Sequence, residues 1–304
     1  MALLNPRRAA LLAAVALSAS CSARAGGGFG VTRSTLPAGL NGLSGLTIDA
    51  DGLLWAVSER GVALVPLRLD GDTVALDRAP IPVAGWPVGV DAESLAWLGP
   101  GRFAVGTETQ GEGRAAERVL EVVVTTADGK PRAAVGPTVW SLPYLPFGVT
   151  GGANHGVESL DLLDGALIAA SEVTVGETRA APVWRVPLDG GPVRTAVVPL
   201  TSDNGKLSTL DALAFTDAGV ELLAIERHYE TVRLVAARLP SAADGAPAGT
   251  ARVVRDLAAE LTDLPNIEGL ARLPDGRTVL LGDNQHGLRL DGPTVVLVLA
   301  AAAE

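Results

Sequence analysis

Five copies of one short pattern place acidic side chains at nearly constant spacing along the chain. Each copy has one polar position at the start of an apolar stretch and a second after the next apolar stretch. The first positions are Ser44, Glu93, Glu158, Asp211 and Glu268, and the second positions are Glu59, Glu108, Glu172, Glu226 and Asp283. The two positions are 15 residues apart in four copies and 14 in the third. Nine carboxylates repeated in this way could bind a cation or exchange protons.

The segments around these positions have the character of short strands joined by tight turns. In the first copy, Asp51-Gly52 and Asp70-Gly71 each separate two apolar stretches, which is the signal of a hairpin. Turns recur at the same two places in the later copies, so each unit of about fifty residues holds four strands. Repeats of this length and content are typical of a β-propeller.

We therefore predict an all-β fold, a β-propeller with five four-stranded blades. A six-bladed ring is the alternative, if a degenerate blade lies in the 65-residue step from Glu93 to Glu158. The last unit is too short to provide its own outer strand, and an open ring would expose strand edges. We expect residues 27–38 to supply that strand and to close the ring from the N-terminal side.

The predicted fold brings the acidic positions together. In a blade the innermost strand runs along the central channel and the second returns beside it, so both positions of every copy would meet at one mouth as two rings. Like charges about 4 Å apart repel by roughly 4 kcal/mol at an effective dielectric near 20, so such rings need cations or shared protons. Ca²⁺ binds carboxylate and amide oxygens, and Asn154, Asn266 and Asn284 lie beside these positions. The alternative is a structural role, in which the carboxylates accept backbone hydrogen bonds.

Histidine and arginine add further candidates for chemistry. All three histidines, His155, His228 and His286, lie within three residues of the acidic positions. Such a histidine could be a general base, a donor to phosphate or a metal ligand, and the alternative is a loop histidine bonded to a neighbour. Arg60 and Arg227 each follow a second carboxylate, where they could bind an anionic substrate or pair with that carboxylate.

The first 25 residues predict an export signal. Two arginines precede the short apolar stretch Ala9–Leu17, and Ala23-Arg24-Ala25 fits a cleavage site. Cys21 lies in a segment similar to a lipoprotein cleavage box, so a lipid anchor at Cys21 is the alternative to cleavage after Ala25. We expect a periplasmic or secreted protein, or a lipid-anchored envelope lipoprotein if Cys21 is modified. Residues 26–304 are expected to form a single domain.

Composition excludes several other classes of function. The net charge is −10 and Lys130 and Lys206 are the only lysines, which argues against a nucleic-acid partner. Beyond the signal, no apolar run is long enough for a transmembrane helix. Cys21 is the only cysteine, so neither a disulfide nor a thiol nucleophile is expected in the mature domain. We expect a monomer that binds a small-molecule ester or another anionic ligand.

Several of the repeated motifs together resemble one domain family. The motifs are Trp55-Ala56-Val57-Ser58-Glu59-Arg60, Asn154-His155-Gly156-Val157-Glu158-Ser159-Leu160 and Asn266-Ile267-Glu268-Gly269-Leu270. They resemble the family called "esterase-like activity of phytase" over nearly all of the mature chain. The resemblance implies an exported β-propeller and, as activity, hydrolysis of phosphate or carboxylate esters. The scarcity of lysine differs from what a phytate-binding surface needs.

Two functions follow from these observations. The first is a metal-assisted hydrolase of phosphate or carboxylate esters, in which Ca²⁺ at the acidic mouth polarises the substrate and a nearby histidine moves a proton. The second is a non-catalytic propeller that binds a ligand or an envelope partner at the same mouth.

Overall fold

The computed structural model describes residues 30–301, except 41, 60, 154, 178, 229, 241–245, 287, 288 and 291, and it leaves the side chains of 285, 286, 289 and 290 undescribed. The predicted signal and Cys21 lie outside the described residues. The same is true of Arg60 and Asn154, and of the side chain of His286.

The first two strand units follow a short N-terminal strand, β1 (Val31–Thr35). The strands of the first unit are β2 (Leu43–Ile48), β3 (Leu54–Ser58), β4 (Ala63–Asp70), β5 (Thr73–Leu76) and β6 (Ile81–Ala84). The strands of the second unit are β7 (Val90–Gly99), β8 (Arg102–Thr109), β9 (Ala116–Ala127) and β10 (Lys130–Pro143). A 3₁₀ turn, Leu145–Phe147, follows the second unit.

The remaining strands form three further units. The third contains β11 (Ser159–Leu163), β12 (Ala166–Ala170), β13 (Ala180–Pro187) and β14 (Arg194–Pro199). The fourth contains β15 (Lys206–Thr216), β16 (Gly219–His228), β17 (Thr231–Leu239) and β18 (Thr250–Asp256), followed by helix α1 (Leu257–Glu260). The fifth contains β19 (Asn266–Arg272), β20 (Thr278–Asp283) and β23 (Val295–Leu299), with the small hairpin of β21 (Gln285–His286) and β22 (Arg289–Leu290) between them.

Tight turns and buried strands explain why the units form. Asp128 and Gly129 have φ values of 53° and 70°, and Asp164 and Gly165 have 47° and 74°. These left-handed pairs are what a two-residue hairpin loop requires, and Asp-Gly adopts them readily. All five residues of β3 are buried. Strands covered on both faces contain continuous apolar runs of this kind.

The units are arranged in a ring. The innermost strands contact one another in the order β2, β7, β11, β15 and β19. β19 in turn contacts β2, which closes the sequence of contacts. The fifth sheet has the order β1-β23-β20-β19, with β1 outermost and antiparallel to β23. A short parallel pairing of β6 with β10 also joins the first two units into one sheet. This arrangement is a β-propeller, and the prediction of an all-β propeller is confirmed.

The apolar core is divided among the spaces between neighbouring units. One cluster of buried side chains lies between each unit and the next, and another lies between the fifth unit and the first. The ring is therefore stabilised mainly by face-to-face packing of successive sheets. No helix among the described residues has the length and apolar character needed to cross a membrane.

Candidate functional site

Bulges in the innermost strands turn carboxylates out of the regular ladder. The pairing of β7 with β8 shifts between Ala92 and Ser94, so Glu93 is the extra residue. The pairing of β19 with β20 shifts in the same way between Ile267 and Gly269, at Glu268. A bulge re-aims the extra side chain and strengthens the local twist of the strand. The two buried glutamates thereby leave the alternating pattern of their strands.

Seven carboxylates lie together in three overlapping groups, near the starts of innermost strands and the ends of the strands that pair with them. In each group, one oxygen atom of every member lies within 4.8 Å of one oxygen of the others. The groups are Glu59, Glu93 and Glu268; Asp91, Glu93 and Glu108; and Glu108, Glu158 and Glu172. Glu93 and Glu108 are each shared by two groups. We call these seven residues the acidic cluster.

Asp91 belongs to the acidic cluster although the repeat did not indicate it. It precedes Glu93 by two positions, and its backbone pairs with that of Glu108. The sequence signal was the second acidic residue in Asp91-Ala92-Glu93, which has no equivalent in the other copies.

Three predicted carboxylates lie outside these groups, namely Asp211, Glu226 and Asp283. Glu226 accepts hydrogen bonds from Thr201 N and Oγ1, both at 2.7 Å, from Ser202 N at 2.9 Å and from Ser202 Oγ. Four donors therefore commit both of its oxygens to holding the start of the connection into β15. Asp283 is buried, and its backbone pairs with Asn266.

Asp211 shows why the fourth copy differs from the others. The pairing of β15 with β16 shifts twice, and the extra residue of the first bulge, between Leu207 and Thr209, is Ser208. Asp211 lies three residues further along the strand, opposite Leu223. The Ser208 hydroxyl donates to Ile267 O of the fifth unit at 2.9 Å. In this copy the bulge therefore connects two units and adds no carboxylate to the acidic cluster.

Neighbouring side chains balance only part of the negative charge. Arg227 forms an ion pair with Glu268 and donates from Nε to Ile267 O at 3.2 Å, and Lys206 Nζ lies 3.0 Å from Glu172. Ser44, the one uncharged position of the repeat, has its hydroxyl 3.0 Å from both Glu59 and Glu268. Among the described residues, these are two directly paired cations for seven carboxylates.

Burial and mutual repulsion hold protons on the cluster when no cation is bound. Burial, followed by the charges of Asp283 and Glu268, raises the pKa of Glu59 to about 8. Burial, followed by the charges of Glu172 and Asp91, raises the pKa of Glu108 to about 7. The pKa values of two further members, Glu93 and Glu158, lie well above the usual range for the same two reasons. A divalent cation would replace these protons, because it offers the charge that the carboxylates lack.

His155 lies next to the acidic cluster in a defined hydrogen-bonding state. Gly152 N–H donates to its Nδ1 at 2.9 Å. A neutral imidazole that accepts at Nδ1 carries its proton at Nε2. Burial lowers the pKa of His155, and the charge of Glu172 opposes this shift. The ring is therefore neutral at pH 7 and can offer an N–H to an oxygen of a bound ligand.

The loop that carries His155 is held by a buried network that the repeat did not indicate. Arg114 Nη2 donates to His155 O at 2.9 Å and pairs with Glu117 at 2.7 Å. The Tyr144 hydroxyl also donates to Glu117, at 3.2 Å. Arg114 further exchanges two backbone hydrogen bonds with Gly151. No sequence signal marked these residues, because they lie between two copies of the pattern.

The other predicted residues take separate positions. His228 ends β16, where its backbone pairs with Thr231, outside the carboxylate groups. The backbone of His286 pairs with Arg289 in the small hairpin of the fifth unit. Arg227 contacts the acidic cluster directly through its ion pair with Glu268.

The ring of strands and the acidic cluster define a β-propeller with a candidate cation site. The chain belongs to the family "Phytase-like: Esterase-like activity of phytase", whose model matches residues 38–286. The resemblance predicted from the motifs is thereby confirmed. No curated protein matches the sequence.

Several solved structures align with this chain, but their sequences are distant from it. One is the PQQ-bound aldose sugar dehydrogenase of Streptomyces coelicolor, with 12% identity and a TM-score of 0.47 over 89% of this chain and 98% of that one. Another is a catalytically inactive virginiamycin B lyase of Staphylococcus aureus with quinupristin, with 10% identity and a TM-score of 0.42 over 89% and 99%. A third is a glucose dehydrogenase-type oxidoreductase of Thermus thermophilus, with 14% identity and a TM-score of 0.41 over 89% and 100%.

Proposed function

We propose that the protein is a metal-assisted hydrolase of phosphate or carboxylate esters and that the acidic cluster binds Ca²⁺. The observation that carries this proposal is the set of three overlapping carboxylate groups. Ca²⁺ holds its oxygen ligands at 2.3–2.6 Å, so ligand oxygens of one ion lie within about 5 Å of one another. The 4.8 Å limit within each group meets this requirement. The high pKa values of the buried glutamates are consistent with a site that becomes ionised only when a cation is bound.

The residues around the cluster have separate roles in this proposal. Glu93, Glu108 and Glu158 are the proposed central metal ligands, because they are buried and belong to groups that share members. A bound Ca²⁺ would polarise the ester or phosphoryl oxygen and lower the pKa of a water molecule. His155 would donate from Nε2 to an oxygen on which negative charge develops. Arg227 would hold Glu268 in place and balance its charge.

The proposal extends to the fold and the location of the protein. We propose that the five units are five blades and that β1 closes the ring by pairing with β23. The protein would be exported, with cleavage after Ala25 giving a periplasmic or secreted monomer and lipidation of Cys21 giving an anchored one. In either case its ligand would be a small-molecule ester or another anionic molecule.

The decisive experiment measures hydrolysis and Ca²⁺ binding in the same protein. The purified protein is assayed against phosphate and carboxylate esters with Ca²⁺ or with chelator, and Ca²⁺ binding is measured by calorimetry. We expect hydrolysis that chelator abolishes. Glu158→Gln keeps the size of the side chain and removes a ligand charge, so Ca²⁺ affinity should fall at least about tenfold and activity should fall with it.

The control is Glu221→Gln, at a carboxylate that pairs with Arg238 at 2.6 Å in the fourth unit and belongs to no carboxylate group. It should change neither property. Ca²⁺ binding without hydrolysis of any ester would instead identify a ligand-binding propeller. Absence of metal binding would leave the carboxylates with a structural role.

A further inference from the structure

A pocket beside the acidic cluster has no role in the proposed chemistry. It has a volume of about 530 Å³ and lies between the first unit and the connection from β6 to β7. Its wall contains Val62, Val83 and Trp86, together with Glu59 and Asp91. Those two carboxylates also belong to the acidic cluster. The pocket and the acidic cluster therefore share two carboxylates and are direct neighbours.

The aromatic wall of the pocket is fixed before any ligand arrives. Trp86 Nε1 donates to Val90 O at 2.7 Å, which closes the connection into a short loop. Trp86 also packs against the apolar cluster between the first and second units. Gly85 and Gly89, on either side of it, have φ values of 76° and 72°, which side chains other than glycine rarely adopt. A preformed wall lowers the entropy cost of binding a ligand against it.

The chemistry of the wall selects the kind of ligand. The described residues of the wall include no arginine, lysine or histidine, and Arg60 lies outside the described part of the chain. Two carboxylates can accept hydrogen bonds from hydroxyl groups, and the indole with its proline and valine neighbours offers apolar surface. An apolar wall with a few well-placed polar groups is typical of small-molecule sites. A ring with an apolar C–H face and hydroxyl groups at its edge matches both features, whereas a second phosphate would face carboxylates.

We propose that this pocket binds a neutral hydroxylated ring of the pyranose type, which is the alcohol part of the ester whose cleaved bond lies at the acidic cluster. This inference rests on the proposed function for the cleaved bond, but ring binding can be measured without it. In hydrolysis, the oxygen of water would bond to the phosphorus or acyl carbon. The ester oxygen attached to the ring carbon would leave with the electron pair of the broken bond and take a proton from the same water, which gives the free alcohol.

The test uses methyl β-D-glucopyranoside, a neutral ring without an ester, and detects binding by saturation-transfer NMR and calorimetry on the intact protein. We expect binding that Trp86→Ala weakens about tenfold or more, because the ring loses its aromatic contact. Trp86→Phe keeps an aromatic face and should retain binding within about threefold of the unchanged protein. Val88→Ala is the matched control, since Val88 is fully exposed in the same loop and does not line the pocket.

Three results would overturn the proposal. These are no binding of the glucoside, binding that is unchanged in Trp86→Ala, and binding of glucose 6-phosphate alone that Arg60→Gln abolishes. Glu158→Gln separates this inference from the proposed hydrolysis, because it should remove activity and leave glucoside binding intact. Glucoside binding that depends on Trp86 in a protein without hydrolytic activity would support the pocket and overturn the hydrolase.

Discussion

His155 shows how a single hydrogen bond limits what a residue can do. Because Gly152 N–H occupies Nδ1, the neutral ring presents an N–H at Nε2 and not a free lone pair. A role as hydrogen-bond donor to a developing charge therefore fits this geometry better than a role as proton acceptor. The Arg114 contact to the backbone of His155 adds to the fixed position of the ring.

Substitution of His155 distinguishes these two roles. His155→Ala should lower turnover about 10²-fold, the usual cost of removing one donor to a developing negative charge, and should leave Ca²⁺ affinity nearly unchanged. His155→Gln places an amide N–H near the Nε2 position, so turnover should recover to within about tenfold of the unchanged enzyme. The measurements are kcat and Ca²⁺ binding for both variants. Proton transfer would instead be assigned to His155 if both variants lost turnover equally and if the pH dependence of kcat no longer showed the ionisation of a catalytic base.

The residues of the site could be predicted in part from spacing alone. Six members of the acidic cluster occupy repeat positions, and the sequence identified each of them. Asp91 was missed because the other copies have no acidic residue at the equivalent position, so it does not belong to the repeat. Asp211 has the same spacing, but it lies three residues beyond the first bulge of β15 at Ser208 and outside the three carboxylate groups.

At the scale of the strand, the bulges depend on close approach between neighbouring units. Gly45 has a φ value of 58°, and a Cβ atom there would lie 2.5 Å from Leu95 N, in the innermost strand of the second unit. A side chain at this position would therefore be strained and would also displace the backbone that carries Glu93. The glycine of the first copy is thus required by packing between units as well as by its own conformation.

Gly45→Ala tests this dependence. The variant should lose at least about 3 kcal/mol of unfolding free energy from backbone strain and forced displacement. Gly52→Ala is the control, because φ there is 84° but no atom lies within 4 Å of the added Cβ. It should cost only about 1–2 kcal/mol. Denaturant unfolding of both variants measures the difference, and equal losses would show that close packing at Gly45 is unimportant.

The hairpins were predictable, and the contacts between distant strands were not. Asp-Gly turns and apolar runs located most strands, since these signals act over a few residues. The parallel pairing of β6 with β10 rests on two residue pairs, Ala133 with Val83 and Ala134 with Ala84, and has no local signal. The 65-residue step from Glu93 to Glu158 is taken up by the long strands β9 and β10 and the loop that follows them.

At the scale of the whole molecule, the acidic cluster should couple stability to pH. The pKa values of Glu59 and Glu108 are raised from 4.5 to about 8 and about 7 in the folded protein. Between about pH 4.5 and pH 8, the folded state therefore binds more protons than the unfolded state. The stabilising contribution of the two groups is complete below about pH 4.5 and is lost as the pH rises through 7 and 8.

Thermal unfolding with and without Ca²⁺ measures this coupling. The metal-free protein should melt several degrees lower at about pH 8.5 than at about pH 6, because ionised carboxylates then repel one another. Ca²⁺ should raise the melting temperature at both pH values, and more at the higher one, where it competes with fewer protons. NaCl at the same ionic strength is the control for screening of the charges. A melting temperature that rises with pH in the absence of metal would contradict the assignment.

The pairing of β1 with β23 brings the two ends of the described chain together. The amide of Ala300 donates to Gly30 O at 2.9 Å, and Val31 lies opposite Leu299. The order of the units along the gene is therefore not dictated by the ring itself. A circularly permuted chain, joined across these ends and opened in the loop between two other units, would contain every sheet described above. Residue 30 precedes β1, the outermost strand of the fifth sheet, so a tether or fusion partner attached before it would be separated from the innermost strand β19 by β23 and β20.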